Sequence, residues 1–286
     1  MIIPRAILML FKDTFLEWYA DRGSRLGAAL AYYTVFSLAP LLIIAVTIVA
    51  LVFEQEAAQR HIILQMQELV GADGAKIVQT LLDRDYRPRS GIVATSIAIA
   101  MLLFGATIVF SELQDALNSI WSVPARFERG FLIGLMRDRF LSFMMVLGIA
   151  FLLLLSLVLS GVLAALGGIF VNSLSGHFDV LRIGNLLFLF SMVTLLLAMI
   201  YKILPDVNIA WSDVVIGAVL TSMLFMIGKF LIGFYLSLSR IAWAYGAAGS
   251  LVIVLVWIYY SAQILYFGAE FTKVYAHRYG SKRPGR

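Results

Sequence analysis

The sequence contains no cysteine and few charged residues. Without cysteine among its 286 residues, the chain has no disulfide, thiolate metal site, iron–sulfur cluster or cysteine nucleophile. Charged residues make up 14% of the chain, against about a quarter in an ordinary soluble domain. Apolar residues make up 62%, and a soluble core of this size cannot bury so much apolar side chain. The chain is therefore predicted to be an integral membrane protein.

Motifs that carry catalytic chemistry are also lacking. The histidines, His61, His177 and His277, are isolated from one another, and no HExxH, Walker-loop or GxSxG motif occurs. The sequence therefore predicts no enzyme, no catalytic residue, no metal site and no cofactor. The net charge of +5 is interpreted as positive charge flanking membrane spans, so no nucleic-acid partner is predicted.

Long apolar runs predict one all-α membrane domain, a polytopic helical bundle that covers residues 1–286. A spanning helix takes about 20 residues, and the runs allow six transmembrane helices. An interfacial helix precedes them, and a helical hairpin caps the first outer loop. The predicted ranges are 4–22 for the interfacial helix, 27–53, 92–110, 140–170, 184–204, 211–236 and 246–267 for the spans, 54–90 for the hairpin and 271–286 for a basic cytoplasmic tail.

The segment before the first span has one apolar face. Leu8, Phe11, Phe15 and Trp18 recur at the helical period, which is typical of a helix that lies in the membrane surface. In the first loop, two short apolar stripes flank a glycine-containing turn at 71–74, and this pattern predicts the hairpin.

Basic residues predict the orientation of the bundle. An even number of spans places both termini on one side of the membrane. Lysine and arginine are concentrated in the segments on that side, which favours the cytoplasm by the positive-inside rule. Arg84, Arg87 and Arg89 in the first loop oppose this orientation.

Pro40 lies in the middle of the first predicted span, close to Ser37. A proline there removes one backbone donor and frees the carbonyl of Phe36, which a neighbour, a hydroxyl or water must then satisfy. Two interpretations stay open: a structural kink, or a broken helix along a substrate path.

Tyr259, Gln263, Tyr266 and Glu270 form a polar stripe on the last predicted span. Their spacing places them on one face of a helix. Because an unpaired amide or carboxylate is costly in hydrocarbon, the stripe is expected to face other helices or a wet cavity. It either holds the bundle together by hydrogen bonds or lines a transport path. Glu270, near the inner boundary, is alternatively solvated.

Further candidates lie elsewhere in the spans. Lys229, in the fifth span, either binds an anionic group such as a lipid phosphate, snorkels to the surface or forms a structural pair. Gly246 and Gly249 serve close packing or a hinge. Glu112 and Asp115 form an acidic pair at the inner boundary, which acts in a proton or cation relay or pairs with the basic second loop.

Several strings of residues together resemble the YihY/BrkB family of bacterial inner-membrane proteins, over about residues 20 to 276 of the chain. The first and last of these strings are the most specific. They are AALAYYT at 28–34 leading into SLAP at 37–40, ALNSIW at 116–121, LP at 204–205, Trp211, GA at 217–218, YGAAGS at 245–250, WIYYSAQI at 257–264 and FGAE at 267–270.

The resemblance implies a six-span protein of the bacterial inner membrane whose activity is poorly defined. The family has carried the label ribonuclease BN, now regarded as a misassignment, and the label of a virulence or serum-resistance factor. Some members are linked to the movement of lipopolysaccharide precursors across the inner membrane.

The leading prediction is a transporter-like role, namely passage or flipping of a lipid, a lipid-linked precursor or another amphiphile, with membrane lipid as partner. Ser37, Pro40, Lys229 and the polar stripe would line the path. Energy would come from an ion gradient, a partner ATPase or the gradient of the substrate. The alternative is a non-transporting scaffold for envelope biogenesis. A nuclease using Glu112, Asp115 and Glu270 is disfavoured, and glycine-rich faces permit a homo-oligomer.

Overall fold

A computed structural model describes residues 3–49, 108–123, 178–238 and 249–283, together with isolated residues between 59 and 79. In these ranges the chain forms helices and turns and contains no strand, as an all-α protein requires. The helices are α1 (Ile3–Ala20), α2 (Gly23–Val49), α3 (108–120), α4 (Phe178–Ile203), α5 (Trp211–Leu238) and α6 (Gly249–Arg278).

Within the described residues, three helices are long and apolar enough to cross a membrane. They are the segments Leu186–Ile203 of α4, Trp211–Tyr235 of α5 and Leu251–Arg278 of α6, which fall on the predicted fourth, fifth and sixth spans. Helix α2 falls on the predicted first span. The predicted span 140–170, most of the span 92–110 and most of the hairpin 54–90 lie outside the described residues, so the count of six spans stays a prediction.

The end of the last helix differs from prediction, and the helix that contains Pro40 is continuous. Helix α6 continues to Arg278, so residues 271–278 belong to a helix and not to a tail. These residues stay helical because Phe271, Thr272 and Ala276 are buried against the rest of the protein. Helix α2 is continuous through Ser37 and Pro40, whose side chains lie outside the described part. The helix therefore does not end at the proline.

Helix α1 is amphipathic, and its apolar residues divide between two sides: Phe11 packs against Phe271 and Trp18 against the core, whereas others point away from the protein. Leu8 is 72% exposed and Phe15 is 55% exposed, whereas Leu10 and Thr14 are buried. The Thr14 hydroxyl is satisfied within the helix, because it donates to the Leu10 carbonyl at 2.8 Å. This arrangement suits a helix whose outer face meets lipid at the membrane surface.

A sharp turn connects α1 to α2. Arg22 adopts a left-handed conformation with a φ of 54°, and Gly23 follows it. A Cβ atom at Gly23 would lie 2.1 Å from Nε1 of Trp18, so only glycine permits this close approach. The turn brings α1 and α2 against the same helix, α6.

Helix α6 is the central helix of the described part, because it packs against α1, α2 and α5. Its contact with α5 depends on glycine. A Cβ at Gly217 would lie 1.8 Å from Oγ1 of Thr272, and a Cβ at Gly268 would lie 1.9 Å from Oγ1 of Thr221. Both threonine hydroxyls donate to their own helix backbone, so the two helices approach closely without leaving a polar group unpaired.

Two polar contacts tie the turns at one end of the bundle. Asp213, at the start of α5, is buried and accepts hydrogen bonds from the backbone N–H and the hydroxyl of Ser281, at 2.8 and 2.7 Å. Asn118, near the end of α3, accepts a hydrogen bond from the backbone N–H of Asp206 at 2.8 Å. The end of α6 and the α4–α5 turn are thereby fixed.

Candidate functional site

The polar stripe of α6 faces the start of α2. The side-chain amide of Gln263 donates to the carbonyl oxygen of Ser24 at 3.4 Å. A Cβ at Gly27 would lie 2.1 Å from Nε2 of Gln263, so the first turns of α2 pass directly over this side chain. Tyr259 is half-buried, whereas Tyr266 is fully buried.

Within the described residues, several polar atoms of the stripe are buried without a hydrogen-bond partner. They are Oε1 of Gln263, the hydroxyl of Tyr266 and both carboxyl oxygens of Glu270. Leaving one such group unpaired costs about 1–3 kcal/mol. Glu270 is 1% exposed. The structure therefore does not place it in solvent at the membrane boundary, which was one of the two alternatives.

Glu270 belongs to a cluster that the sequence did not predict. Nζ of Lys273 lies 2.9 Å from a carboxyl oxygen of Glu17, 3.2 Å from one of Asp21 and 3.5 Å from one of Glu270. We call these four residues the Glu270 cluster. With every group ionised it carries three negative charges and one positive charge.

The Glu270 cluster runs from the protein surface inward. The side chain of Glu17 is 49% exposed, that of Asp21 is 27% exposed and that of Lys273 is 14% exposed, while Glu270 is enclosed. A cleft of about 470 Å³ opens beside it, between α1 and the end of α6. The cleft is lined by Asp13, Glu17, Lys273, Val274, His277 and Arg278.

The acidic pair of α3 approaches the stripe from another side. Glu112 is half-buried and Asp115 is exposed. Burial, followed by the nearby carboxylate of Asp115, raises the pKa of Glu112 above its ordinary value. Glu112 also lies close enough to Tyr266 to interact with it electrostatically. The basic second loop, its predicted partner, lies outside the described residues.

Lys229 is not part of this site. It is exposed on α5, one residue from Gly228, which packs against Tyr260 and Ile264 of α6. Successive residues of a helix point about 100° apart, so Lys229 is directed away from that interface. Of the predicted hinge residues, Gly249 is buried at the start of α6, and Gly246 lies outside the described residues.

Sequence reasoning missed Glu17, Asp21 and Lys273 as site residues. A signal was present, because Asp13, Glu17 and Asp21 recur every four residues and so share one face of α1. On a helix that lies in the membrane surface, such a charged face is expected to meet water. Its contact with α6 joins residues more than 250 positions apart in the chain, at separations of 252 and 256, and sequence spacing carries no information about it.

The three carboxylates considered for a nuclease, those of Glu112, Asp115 and Glu270, do not lie together in one cluster. Among the described residues, Glu270 groups with Glu17 and Asp21, whose oxygen atoms lie within 4.8 Å of one another. Glu112 and Asp115 are not in that group. The ammonium group of Lys273 already contacts all three of the grouped carboxylates.

Comparison with known proteins decides the family. Residues 14–286 match the family described as Virulence factor BrkB. The chain belongs to this family. The resemblance drawn from the strings in α2, α3 and α6 is thereby confirmed. The chain matches no solved structure.

The relatives are bacterial proteins, and most of those found are named membrane proteins. A UPF0761 membrane protein of Teredinibacter turnerae is 23% identical over 97% of this chain and 63% of its own length. Another, of Tolumonas auensis, is 27% identical over 89% of this chain and 81% of its own length. The ribonuclease-like protein YfkH of Bacillus subtilis is 25% identical over 92% of this chain and 94% of its own length. The chain thus spans less than two thirds of the length of the first of these relatives.

Proposed function

We propose that this BrkB-family membrane protein passes an amphiphile, such as a lipid, along the polar stripe of α6. The observation that carries the proposal is the row of buried polar atoms on Gln263, Tyr266 and Glu270 that have no hydrogen-bond partner in the described part of the chain. Bundles that serve only as structure satisfy such groups, whereas a path for a polar head group must offer hydrogen bonds that the head group itself completes.

The two parts of an amphiphile would meet different surfaces. The stripe offers an amide oxygen, a hydroxyl and a carboxyl group to a head group. Helix α2 exposes Tyr32 (57%) and Phe36 (69%), with their rings 4.8 Å apart, on the side turned away from Gly27 and the stripe. This apolar side is open to the acyl chains of the surrounding lipid.

Access to the stripe requires α2 to separate from α6. The hydrogen bond from Gln263 to Ser24 is long, at 3.4 Å, and bonds of this length contribute little. The α5–α6 contact has two close approaches of glycine to threonine, at Gly217 and Gly268, whereas the described α2–α6 contact has one close approach, of Gly27 to Gln263. We therefore propose that α5 and α6 form the fixed part and that α2 is the part that moves.

The test is lipid movement in vesicles that contain the purified protein and a fluorescent phospholipid. A quencher added outside reports the lipid that reaches the outer leaflet. Gln263→Leu is expected to slow movement by about tenfold, because one lost hydrogen bond to the head group is worth about 1.4 kcal/mol. Ser261→Ala is the control on the same helix, since that hydroxyl donates to the Trp257 carbonyl of α6 itself.

The second candidate is a non-transporting scaffold for envelope biogenesis, which the interlocked α5–α6 contact favours. Vesicles with wild-type protein that move lipid no faster than empty vesicles would support the scaffold.

We also propose that the chain is not a nuclease, because Lys273 occupies the space between the grouped carboxylates. RNA cleavage by purified protein that Glu270→Gln abolishes would contradict this. An inner-membrane location with cytoplasmic termini belongs to the same proposal.

A further inference from the structure

The Glu270 cluster has unbalanced charge. Three carboxylates from α1 and α6 share one ammonium group, that of Lys273. The ammonium lies closest to Glu17 and Asp21, at 2.9 and 3.2 Å, and farthest from Glu270, at 3.5 Å. The carboxyl group that is most deeply buried is thus the one whose charge is least compensated.

Glu270 also lacks the hydrogen bonds that stabilise a buried carboxylate. Among the residues that the structure describes, no group donates a hydrogen bond to either of its oxygens, and its side chain is 1% exposed. An ionised carboxylate in such a place is costly, and proteins avoid this cost by pairing the charge fully or by neutralising the group. Lys273 is shared with two other carboxylates, so full pairing is not available to Glu270.

Some charged groups around Glu270 favour its ionised form, and others disfavour it. On α1, Glu17 and Asp21 disfavour a further negative charge, and Asp13 is paired with Arg278 of α6. On α6, Lys273 favours the ionised form, and Nδ1 of His277 contacts the Lys273 carbonyl at 2.9 Å. Farther from Glu270, Glu112 on α3 interacts electrostatically with Tyr266, and the uncharged amide of Gln263 faces α2.

A proton fits this site better than a metal ion. A metal bound by the three carboxylates would lie against the ammonium of Lys273, which contacts all of them, so like charges would meet in a partly buried place. A proton bonds to one carboxyl oxygen of Glu270 and leaves Lys273 where it is. It removes the negative charge that the surroundings compensate least.

We infer that the Glu270 cluster binds a proton at Glu270, and that this proton is the coupling ion for movement of the amphiphile. The second half of this inference rests on the proposed function, whereas the first half does not. The proton comes from water in the cleft, past the partly exposed carboxylates of Glu17 and Asp21. An O–H bond forms at Glu270 on uptake and breaks on release, with no change of oxidation state.

Infrared spectroscopy tests the proton site directly. A protonated carboxyl group gives a C=O stretching band that an ionised carboxylate lacks. In the full-length protein in lipid at neutral pH, we expect this band in the wild type and in Asp206→Asn. The control aspartate lies in the α4–α5 turn, where its carboxylate accepts a hydrogen bond from Asn118. We expect Glu270→Gln to lose the band.

Neighbouring substitutions give a second readout that does not depend on the Gln variant folding normally. Asp21→Asn removes a negative neighbour, so the band should disappear at a lower pH on titration. Lys273→Met removes the positive neighbour, so the band should persist to a higher pH. An unchanged band in Glu270→Gln, or titration that neither substitution shifts, would overturn the proton site. Loss of the band on adding magnesium or calcium to the wild type, but not to Asp21→Asn, would replace it by a cation site.

A pH gradient across the vesicles tests coupling separately. In wild-type vesicles the gradient is expected to accelerate lipid movement in one direction, and in Glu270→Gln vesicles it should have no effect. If the rate of lipid movement in wild-type vesicles does not depend on the pH gradient, coupling is refuted and the proposed function still stands. The protein could instead show the C=O band of protonated Glu270 but move no lipid under any gradient. That result would refute the proposed function and the coupling, and the proton site would still stand.

Discussion

Replacing Gly268 by alanine should break the closest contact between α5 and α6. The added Cβ would lie 1.9 Å from Oγ1 of Thr221 and 2.6 Å from the hydroxyl of Tyr201. The Tyr201 hydroxyl donates to the Leu265 carbonyl at 2.7 Å, the Thr221 hydroxyl donates to the Gly217 carbonyl at 2.7 Å, and the two hydroxyl oxygens lie 3.1 Å apart. Tyr201 is 1% exposed, so it has little room to turn elsewhere. The substitution therefore disturbs the point where α4, α5 and α6 meet.

The expected loss can be worked from these contacts. Overpacking of a tight site costs about 1–3 kcal/mol, and two disturbed hydrogen bonds add about 1 kcal/mol each. Alanine returns up to about 1 kcal/mol through its better helix propensity. We expect Gly268→Ala to lower the free energy of unfolding by about 3 kcal/mol.

The assay is denaturant unfolding in mixed micelles, followed by tryptophan fluorescence. Gly233→Ala is the matched control on α5, because a Cβ there would meet no atom within 4 Å, and it should be neutral or slightly stabilising. Adding Thr221→Ala to Gly268→Ala should recover part of the loss, since it removes the nearest atom. Unfolding of Gly268→Ala at the wild-type denaturant concentration would refute this account of the α5–α6 contact.

Three more substitutions have expected outcomes. Asp213→Ala removes the two hydrogen bonds from Ser281 and should make the C-terminal end markedly more sensitive to trypsin; unchanged digestion would contradict the contact. Lys273→Met leaves three carboxylates without their ammonium, so its unfolding midpoint should fall at neutral pH and recover on acidification; a pH-independent loss would contradict repulsion as the cause. For Glu112, whose pKa is raised in the fold by burial and by Asp115, stability should fall as the pH rises from the ordinary carboxyl range through the raised pKa. Unfolding midpoints of Glu112→Gln should lack that fall.

The apolar spans of α4 and α5 could be predicted closely from the sequence. The predicted spans 184–204 and 211–236 compare with helices Phe178–Ile203 and Trp211–Leu238. Both are long apolar runs, and the proline at 205 separates them. Apolar side chains are uniformly distributed around α5, however, so nothing in its periodicity indicated that Lys229 would be exposed.

The end of α6 and the Glu270 cluster could not be predicted in the same way. Counting residues against membrane thickness ended the last span at 267, where charged residues begin. The helix continues because burial against α1 and α5, rather than membrane thickness, decides where it ends. The spacing of the polar stripe indicates one helix face, but the groups that it meets come from α1 and α2, at the other end of the chain.

The ion pairs between α1 and α6 constrain the number of membrane crossings. Glu17 and Asp21 lie at the end of α1, just before α2 begins, and they contact Lys273 near the end of α6. We therefore predict that the start of α2 and the end of α6 lie at the same depth of the membrane, and that the chain between them crosses it an even number of times. Because the sequence has no cysteine, single cysteines placed beside these residues can be labelled without background. Reagents that do not cross the membrane should reach both positions from one side.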